Sequence, residues 1–252
     1  WSPAITEEVS IQDVKLGDTV YAYSANDGHF YSSVKVSGIT KRQFTGNLVI
    51  AEVDGKCTKY TPNHHCIVSF APYRKHYTVY LMQKGSQFRV GMSRVEVAQN
   101  AATGPVMRLR QEKGDSLWIL GFYLTKEEAY IAEQSISGKF GLPQLIFTNH
   151  NNIKTEGLLE QAWEFIGNNT SRGLKCLEYF NKDIRYPLFT SGQNWKQSLK
   201  RPMTIHALNI VDGCLMLSFG NNPTEYRENW KPVKLSRSEE HTSELQSRSA
   251  IS

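Results

Sequence analysis

Two short β-type triplets, Thr78-Val79-Tyr80 and Arg89-Val90-Gly91, stand eleven residues apart in HYTVYLMQKGSQFRVGMSR. Behind them come two arginines in GPVMRLR, Arg108 and Arg110, and a glutamate in EEAYIAEQSI, Glu133. A phenol, a guanidinium and a carboxylate together suit the hydrolysis of a phosphodiester. That reaction needs an activated water, a cation over the charge developing on phosphorus, and help for the leaving oxygen. Tyr80 on an exposed strand would accept or relay the proton of the water, provided neighbouring cations lower its pKa. Arg108, with Arg110 as its rival, would grip phosphate oxygens bidentately. Glu133 would hold Mg²⁺ or Mn²⁺, because Mg²⁺ needs few protein ligands and keeps much of its water. Gly91 would let the second strand come close to its neighbour or to a substrate. Arg89, Arg94 and Lys84 are candidate contacts to nucleic-acid phosphates.

These side chains need elements to carry them. Residues 1–72 read as β-rich: DTVYAYS, YSSVKVSGIT, NLVIAEV and HCIVSF are alternating or β-branched runs separated by NDG, TGN, DGK and TPN turns. Residues 75–150 predict two strands, a loop holding GPVMRLR, a strand SLWILGFYL, and a helix. Thr125 is the predicted N-cap of that helix, with Glu127 and Glu128 in its first turn and Gly138 or Gly141 at its end. Residues 151–228 predict two helices, GLLEQAWEFIG and RGLKCLEYF, then strands MTIHALNIV and CLMLSFG. The expected class is α+β: a β-rich front, a small α/β unit and a mixed helical and strand extension. In 151–228, Lys154, Arg172, Lys175, Lys182, Arg185, Lys196, Lys200 and Arg201 alternate with Trp163, Tyr179, Tyr186 and Trp195. Such interleaving suits either DNA backbone binding or a plain structural extension.

The 252 residues have a net charge of +5 and a pI near 8.9, a mild lean towards a polyanionic partner. Cys57, Cys66, Cys176 and Cys214 show neither metal-ligand spacing nor a disulfide pattern, and read as reduced thiols of an intracellular protein. With no spanning apolar stretch and no signal peptide shape, the expectation is a cytoplasmic monomer with no membrane contact. RSEEHTSELQS, within 237–252, has the look of translated sequencing-adapter DNA and is set aside from the fold reasoning.

KLGDTV followed by Thr61-Pro62-Asn63-His64 resembles the Hint family of inteins and hedgehog autoprocessing domains. The resemblance implies that His64 donates to the amide nitrogen of a scissile bond and that Thr61 orients it, with Gly17-Asp18 as the structural motif upstream. WKPVKLS, within the segment 229–236, resembles the strand where a Hint domain resumes after an insertion. The attacking Cys or Ser of that family and its terminal His-Asn pair are absent, so this fragment is expected not to splice its flanking exteins.

Residues 76 to about 148 resemble the GIY-YIG nucleases, in particular those inserted in Hint domains as homing endonucleases. Tyr80, Gly91, Arg108 or Arg110, and Glu133 match the tyrosine, glycine, arginine and metal-binding glutamate of that family. The resemblance implies a double-stranded DNA substrate, nicked or cut through, and a divalent metal. Two features depart from the family: Arg89 replaces its second tyrosine, and the gap from Gly91 to Arg108 is long. An insert retained only for DNA binding or structure is the competing expectation.

Overall fold

The described residues of the computed structural model are 9–24, 29–96, 104–149, 153–192, 202–217, 230–237 and 241–249. Their helices and antiparallel strands make an α+β protein. In the front part the β-branched runs become β1 (Thr19–Ser24), β2 (His29–Lys35), β3 (Gly38–Gly46), β4 (Val49–Val53), β5 (Lys56–Tyr60) and β6 (His65–Ser69). β1 pairs with β2. β4 and β5 form a hairpin whose two turn residues, Asp54 and Gly55, have φ of 53° and 75°. Two positive φ values in a row are what a tight right-twisted hairpin demands, and Asp-Gly supplies them at low cost.

The second part holds β7 (Tyr77–Lys84), β8 (Gln87–Arg94), α1 (Gly104–Gln111), β9 (Ser116–Tyr123) and α2 (Lys126–Phe140). α3 (Ile153–Ile166), α4 (Thr170–Tyr179) and β10 (Phe189–Thr190) follow. Its sheet has the order β10-β9-β7-β8, all antiparallel, so β8 is an edge strand. GPVMRLR, expected as a loop, is the helix α1. Pro105 sits in its first turn, where a missing N–H costs nothing, and Val106 and Leu109 lie one turn apart on its buried side. α2 begins as the sequence predicts. The Thr125 hydroxyl accepts from the Glu128 amide while the Glu128 carboxylate accepts from the Thr125 amide, a reciprocal capping box. The helix runs through Gly138 and stops at Gly141, whose φ of 64° is the left-handed cap.

Buried side chains divide between the two faces of this sheet. Val79, Leu81, Phe88, Val90 and Trp118 pack with Ala129 and Ile136 of α2 and with Cys176 and Leu177 of α4. Tyr80, Met82, Leu117 and Ile119 pack with Val106 and Leu109 of α1 and with Phe147 and Trp163. α4 comes so close to β8 that a Cβ at Gly173 would fall 2.4 Å from the Phe88 ring, so only glycine fits there.

The remaining strands are β11 (Met203–His206), β12 (Leu215–Leu217), β13 (Trp230–Arg237) and β14 (His241–Ser249). The stretch 151–228 therefore does not act as one unit. Its helices and β10 belong to the second sheet, whereas β11 and β12 pair with β6 of the front part. WKPVKLS lies in β13, between β12 and β4. The result is a six-stranded sheet of order β11-β6-β12-β13-β4-β5. Its strands come from before and after the second sheet in the chain. The segment set aside as adapter-like contains β14, which pairs along β3 from His241 opposite Gly46 to Ser249 opposite Gly38.

The two sheets share core residues, Val68 and Phe70 on one side and Tyr80 and Met82 on the other. Polar ties join them as well. Lys182 Nζ donates to the Leu208 carbonyl at 3.2 Å, Asn209 Nδ2 to the Tyr186 carbonyl at 2.9 Å, and the Tyr73 hydroxyl to the Asp212 carbonyl.

Candidate functional site

β7 and β8 pair with Tyr80 directly opposite Gly91. Residues opposite in a sheet point to the same face, so the Tyr80 ring lies across the space a side chain at position 91 would fill. A Cβ there would stand 2.7 Å from the phenolic oxygen. On the other flank of β7 the pairing with β9 slips between Val79 and Tyr80, a bulge of the kind that re-aims a side chain. The sequence thus seats Tyr80 by a glycine on one side and a bulge on the other.

Tyr80 is only 1% exposed. Burial pushes its pKa above the usual value; the Arg89 and Arg108 charges pull it back, while Glu112 pushes it further up. The expectation of a phenol acidified by neighbouring cations is therefore corrected: desolvation outweighs them, and the phenol is protonated at neutral pH.

Arg89 was expected to meet DNA phosphate, and the structure corrects that as well. It is 4% exposed and turned inward. Its Nη1 donates to both carboxylate oxygens of Glu112, at 3.0 and 3.1 Å, and its Nη2 donates to the Gln144 carbonyl at 3.1 Å. Its Nε has no hydrogen-bond partner. The guanidinium carbon stands 5.9 Å from the centre of the Tyr80 ring. A guanidinium this deep needs its carboxylate, because an unpaired buried charge is costly. Glu112, which the sequence reading missed, is therefore part of the site. It follows α1 directly, its amide donating to the Arg108 carbonyl at 2.9 Å, and one of its oxygens also accepts from the Phe147 amide at 3.1 Å. The signal for it was its place four residues after Arg108, on the same side of a helix.

The same spacing separates the two rival arginines. Arg108 and Arg110 are both exposed, but residues two apart on a helix point in different directions. Arg108 lies on the side of Glu112, and its charge reaches Tyr80.

Glu133 projects from the buried side of α2 with Ala129 and Ile136, at 8% exposure. Burial raises its pKa above 4.5, and Arg89 and a backbone hydrogen bond from Met92 draw it back down. The Met92 bond belongs to a pattern along the edge of β8. The Phe88 amide donates to Asn169 Oδ1 at 2.6 Å, the Val90 amide to the Pro143 carbonyl at 3.0 Å, and the Met92 amide to Glu133. Alternate amides of an edge strand point outward and invite pairing with other chains, and here three in succession are occupied. Glu133 is thus both a buried carboxylate and an edge cap.

Among the described residues no group of three or more His, Cys, Asp or Glu side chains gathers to hold a metal. A divalent ion at Glu133 would take most of its ligands from water and phosphate oxygens, which suits Mg²⁺. Burial raises the Glu133 pKa on balance, and Arg89 and the Met92 amide offset part of that rise; as a single carboxylate it fits a Mg²⁺ site completed by water and phosphate. Of the other predicted phosphate contacts, Arg94 is exposed, its guanidinium carbon 5.7 Å from the Tyr77 ring centre. Lys84 sits at the far end of β7, on a shallow cavity of about 260 Å³ that it shares with Phe147 and Trp163. Lys196, Lys200, Arg201 and Trp195 lie outside the described residues.

Thr61 and His64 bracket the turn between β5 and β6. The His64 amide donates to the Thr61 carbonyl at 3.0 Å, and the His64 ring stacks on Tyr60 with centroids 5.0 Å apart. The segment after β11 clasps this turn: the Ala207 amide donates to the His64 carbonyl at 2.7 Å and the Leu208 amide to the Pro62 carbonyl at 3.1 Å. Burial, and then the neighbouring His65, lower the His64 pKa, so the ring is neutral at physiological pH.

No family model matches this sequence, and neither a curated protein nor a solved structure matches it significantly. Among the described residues no helix is long and apolar enough to cross a membrane.

Proposed function

We propose that the chain is a DNA endonuclease of the GIY-YIG type, dependent on Mg²⁺ or Mn²⁺ and carried as an insert within a Hint-like sheet. The observation that carries this reading is the convergence, from separate elements, of the sequence-matched residues. Tyr80 of β7 lies on Gly91 of β8, the charge of Arg108 on α1 reaches Tyr80, and Glu133 of α2 lies within range of the charge of Arg89, which stands by the Tyr80 ring. The insertion is supported by a six-stranded sheet whose strands flank the second sheet in the chain.

In this mechanism Arg108, exposed on α1, takes a non-bridging oxygen of the scissile phosphate. Tyr80, protonated at neutral pH, hands a proton on towards the leaving oxygen or steadies the attacking water by hydrogen bonding. Glu133 would hold the divalent ion, whose charge offsets the negative charge developing on the phosphate in the transition state. Arg94 and Arg110 lie exposed nearby in the chain for contact with the DNA backbone.

One observation favours a second reading, an insert kept for DNA binding or structure. Tyr80 is almost wholly covered, and Glu133 already serves as an edge cap. Incubating the protein with DNA spanning the uninterrupted host site, with Mg²⁺ and with EDTA, decides between them. Metal-dependent cleavage that is lost in Glu133→Ala supports the nuclease. Binding without cleavage at any metal concentration supports the second reading.

A further inference from the structure

We propose that His65 and His206 form a two-imidazole site for a divalent metal ion of the Zn²⁺ and Cu²⁺ type, bridging a strand that precedes the second sheet and one that follows it. The site shares no residue with the nuclease reading and does not depend on it. β6 and β11 are antiparallel, with His206 directly opposite His65. The next pair along is hydrogen-bonded, since the Ala207 amide donates to the His64 carbonyl at 2.7 Å. Bonded and non-bonded pairs alternate along an antiparallel ladder, so His65 and His206 fall at a non-bonded pair, where side chains stand closest. Their ring centres are 4.7 Å apart and their planes are inclined at 42°. A Zn–N bond is about 2.0–2.1 Å long, so two nitrogens on one ion lie within roughly 4 Å of each other. Rings this close can present nitrogens at that separation.

The hydrogen bonding of His206 leaves a suitable nitrogen free. Its Nδ1 stands 3.3 Å from the Asn63 carbonyl, and a carbonyl can only accept, so Nδ1 carries the proton of the neutral ring. The lone pair is then on Nε2, the arrangement in which a backbone carbonyl orients a metal-binding histidine. The Tyr186 ring also packs on His206, centroids 4.9 Å apart, and limits its swing. His64 stacks on Tyr60 and stays out of the pair. His65 is exposed and His206 half-buried, which leaves room for water to complete the coordination. Two imidazoles and water select ions such as Zn²⁺ and Cu²⁺ over Mg²⁺, which prefers oxygen ligands. Because β6 precedes the second sheet in the chain and β11 follows it, an ion held there cross-links the interrupted sheet and stabilises the folded chain.

The test titrates the intact chain with Zn²⁺, and separately with Mg²⁺, while the side-chain nitrogen resonances of its histidines are followed by NMR. The His65 and His206 rings, assigned from His65→Ala and His206→Ala, should shift together with Zn²⁺ and not respond to Mg²⁺. By calorimetry each variant should bind Zn²⁺ at least about 10-fold more weakly than the wild type. Zn²⁺ should also raise the melting temperature of the wild type but not that of His65→Ala, an exposed position whose substitution leaves the core untouched. A Zn²⁺ affinity unchanged in His65→Ala overturns the proposal, and so does a wild-type titration in which these two rings do not move.

Discussion

The Tyr80 ring occupies the space that a side chain on Gly91 would need, with the phenolic oxygen 2.7 Å and the nearest ring carbon 2.8 Å from an added Cβ. The glycine of the second triplet is therefore a seat for the tyrosine of the first. Gly91→Ala should displace the ring and lower stability by about 1–3 kcal/mol, read by chemical denaturation. In a Tyr80→Ala background the same substitution should cost far less. Equal costs in both backgrounds would mean that the ring is not what Gly91 accommodates.

Glu112 is the sole carboxylate partner of Arg89 among the described residues. Glu112→Gln should therefore be severe, about 3–5 kcal/mol, because the guanidinium remains buried and uncompensated. Replacing both members by apolar residues of similar volume, Arg89→Met with Glu112→Leu, should cost less than the single change. A double variant less stable than Glu112→Gln would count against this account.

Arg108 and Arg110 should separate in the cleavage assay. Arg108→Ala should lower the rate by about 100-fold, on the order of the loss of one transition-state charge contact. Arg110→Ala should act mainly on DNA affinity and its salt dependence. The reverse ranking would move the catalytic assignment to Arg110.

Glu133 gives a pH signature with a definite sign. Burial raises its pKa above 4.5, and cation binding needs the ionised form. Cleavage should thus fade as pH falls, with its acid limb centred above 4.5. Stability runs the other way: a raised folded-state pKa contributes stability that is complete below the unfolded value and lost as pH rises through the folded one. Glu133→Gln should remove that loss, so its melting temperature should gain on the wild type as pH increases across this window. A difference that stays flat with pH would show that the carboxylate is not strained by burial.

Local chemistry made several of these features legible in the sequence. Thr125 with Glu128, Gly141, and the Asp54-Gly55 turn each carry their structural reason within a few residues. α1 was hidden because its arginines and flanking turn residues resemble a loop, although Pro105 in the first turn and the Val106 and Leu109 spacing marked a helix. The burial of Arg89 was not legible at all. Nothing near QFRVG says that Glu112 will arrive from another element to neutralise it, and an arginine on an edge strand reads by default as exposed. The pairing of β11 and β12 with β6 was equally out of reach, since strand partners are chosen by packing across long stretches of chain.

Ser69 ends β6 and Met203 begins β11, yet these strands are neighbours, with Met203 opposite Val68. Closing so long a loop between unstructured ends carries a high entropic cost and makes for slow folding. Prior folding of the second sheet would lower that cost, because ties such as Lys182 to Leu208 and Asn209 to Tyr186 hold those ends close. A short link from residue 70 to residue 202 would reconnect strands that already lie side by side, at the cost of uncovering the core that Val68 and Phe70 share with the second sheet.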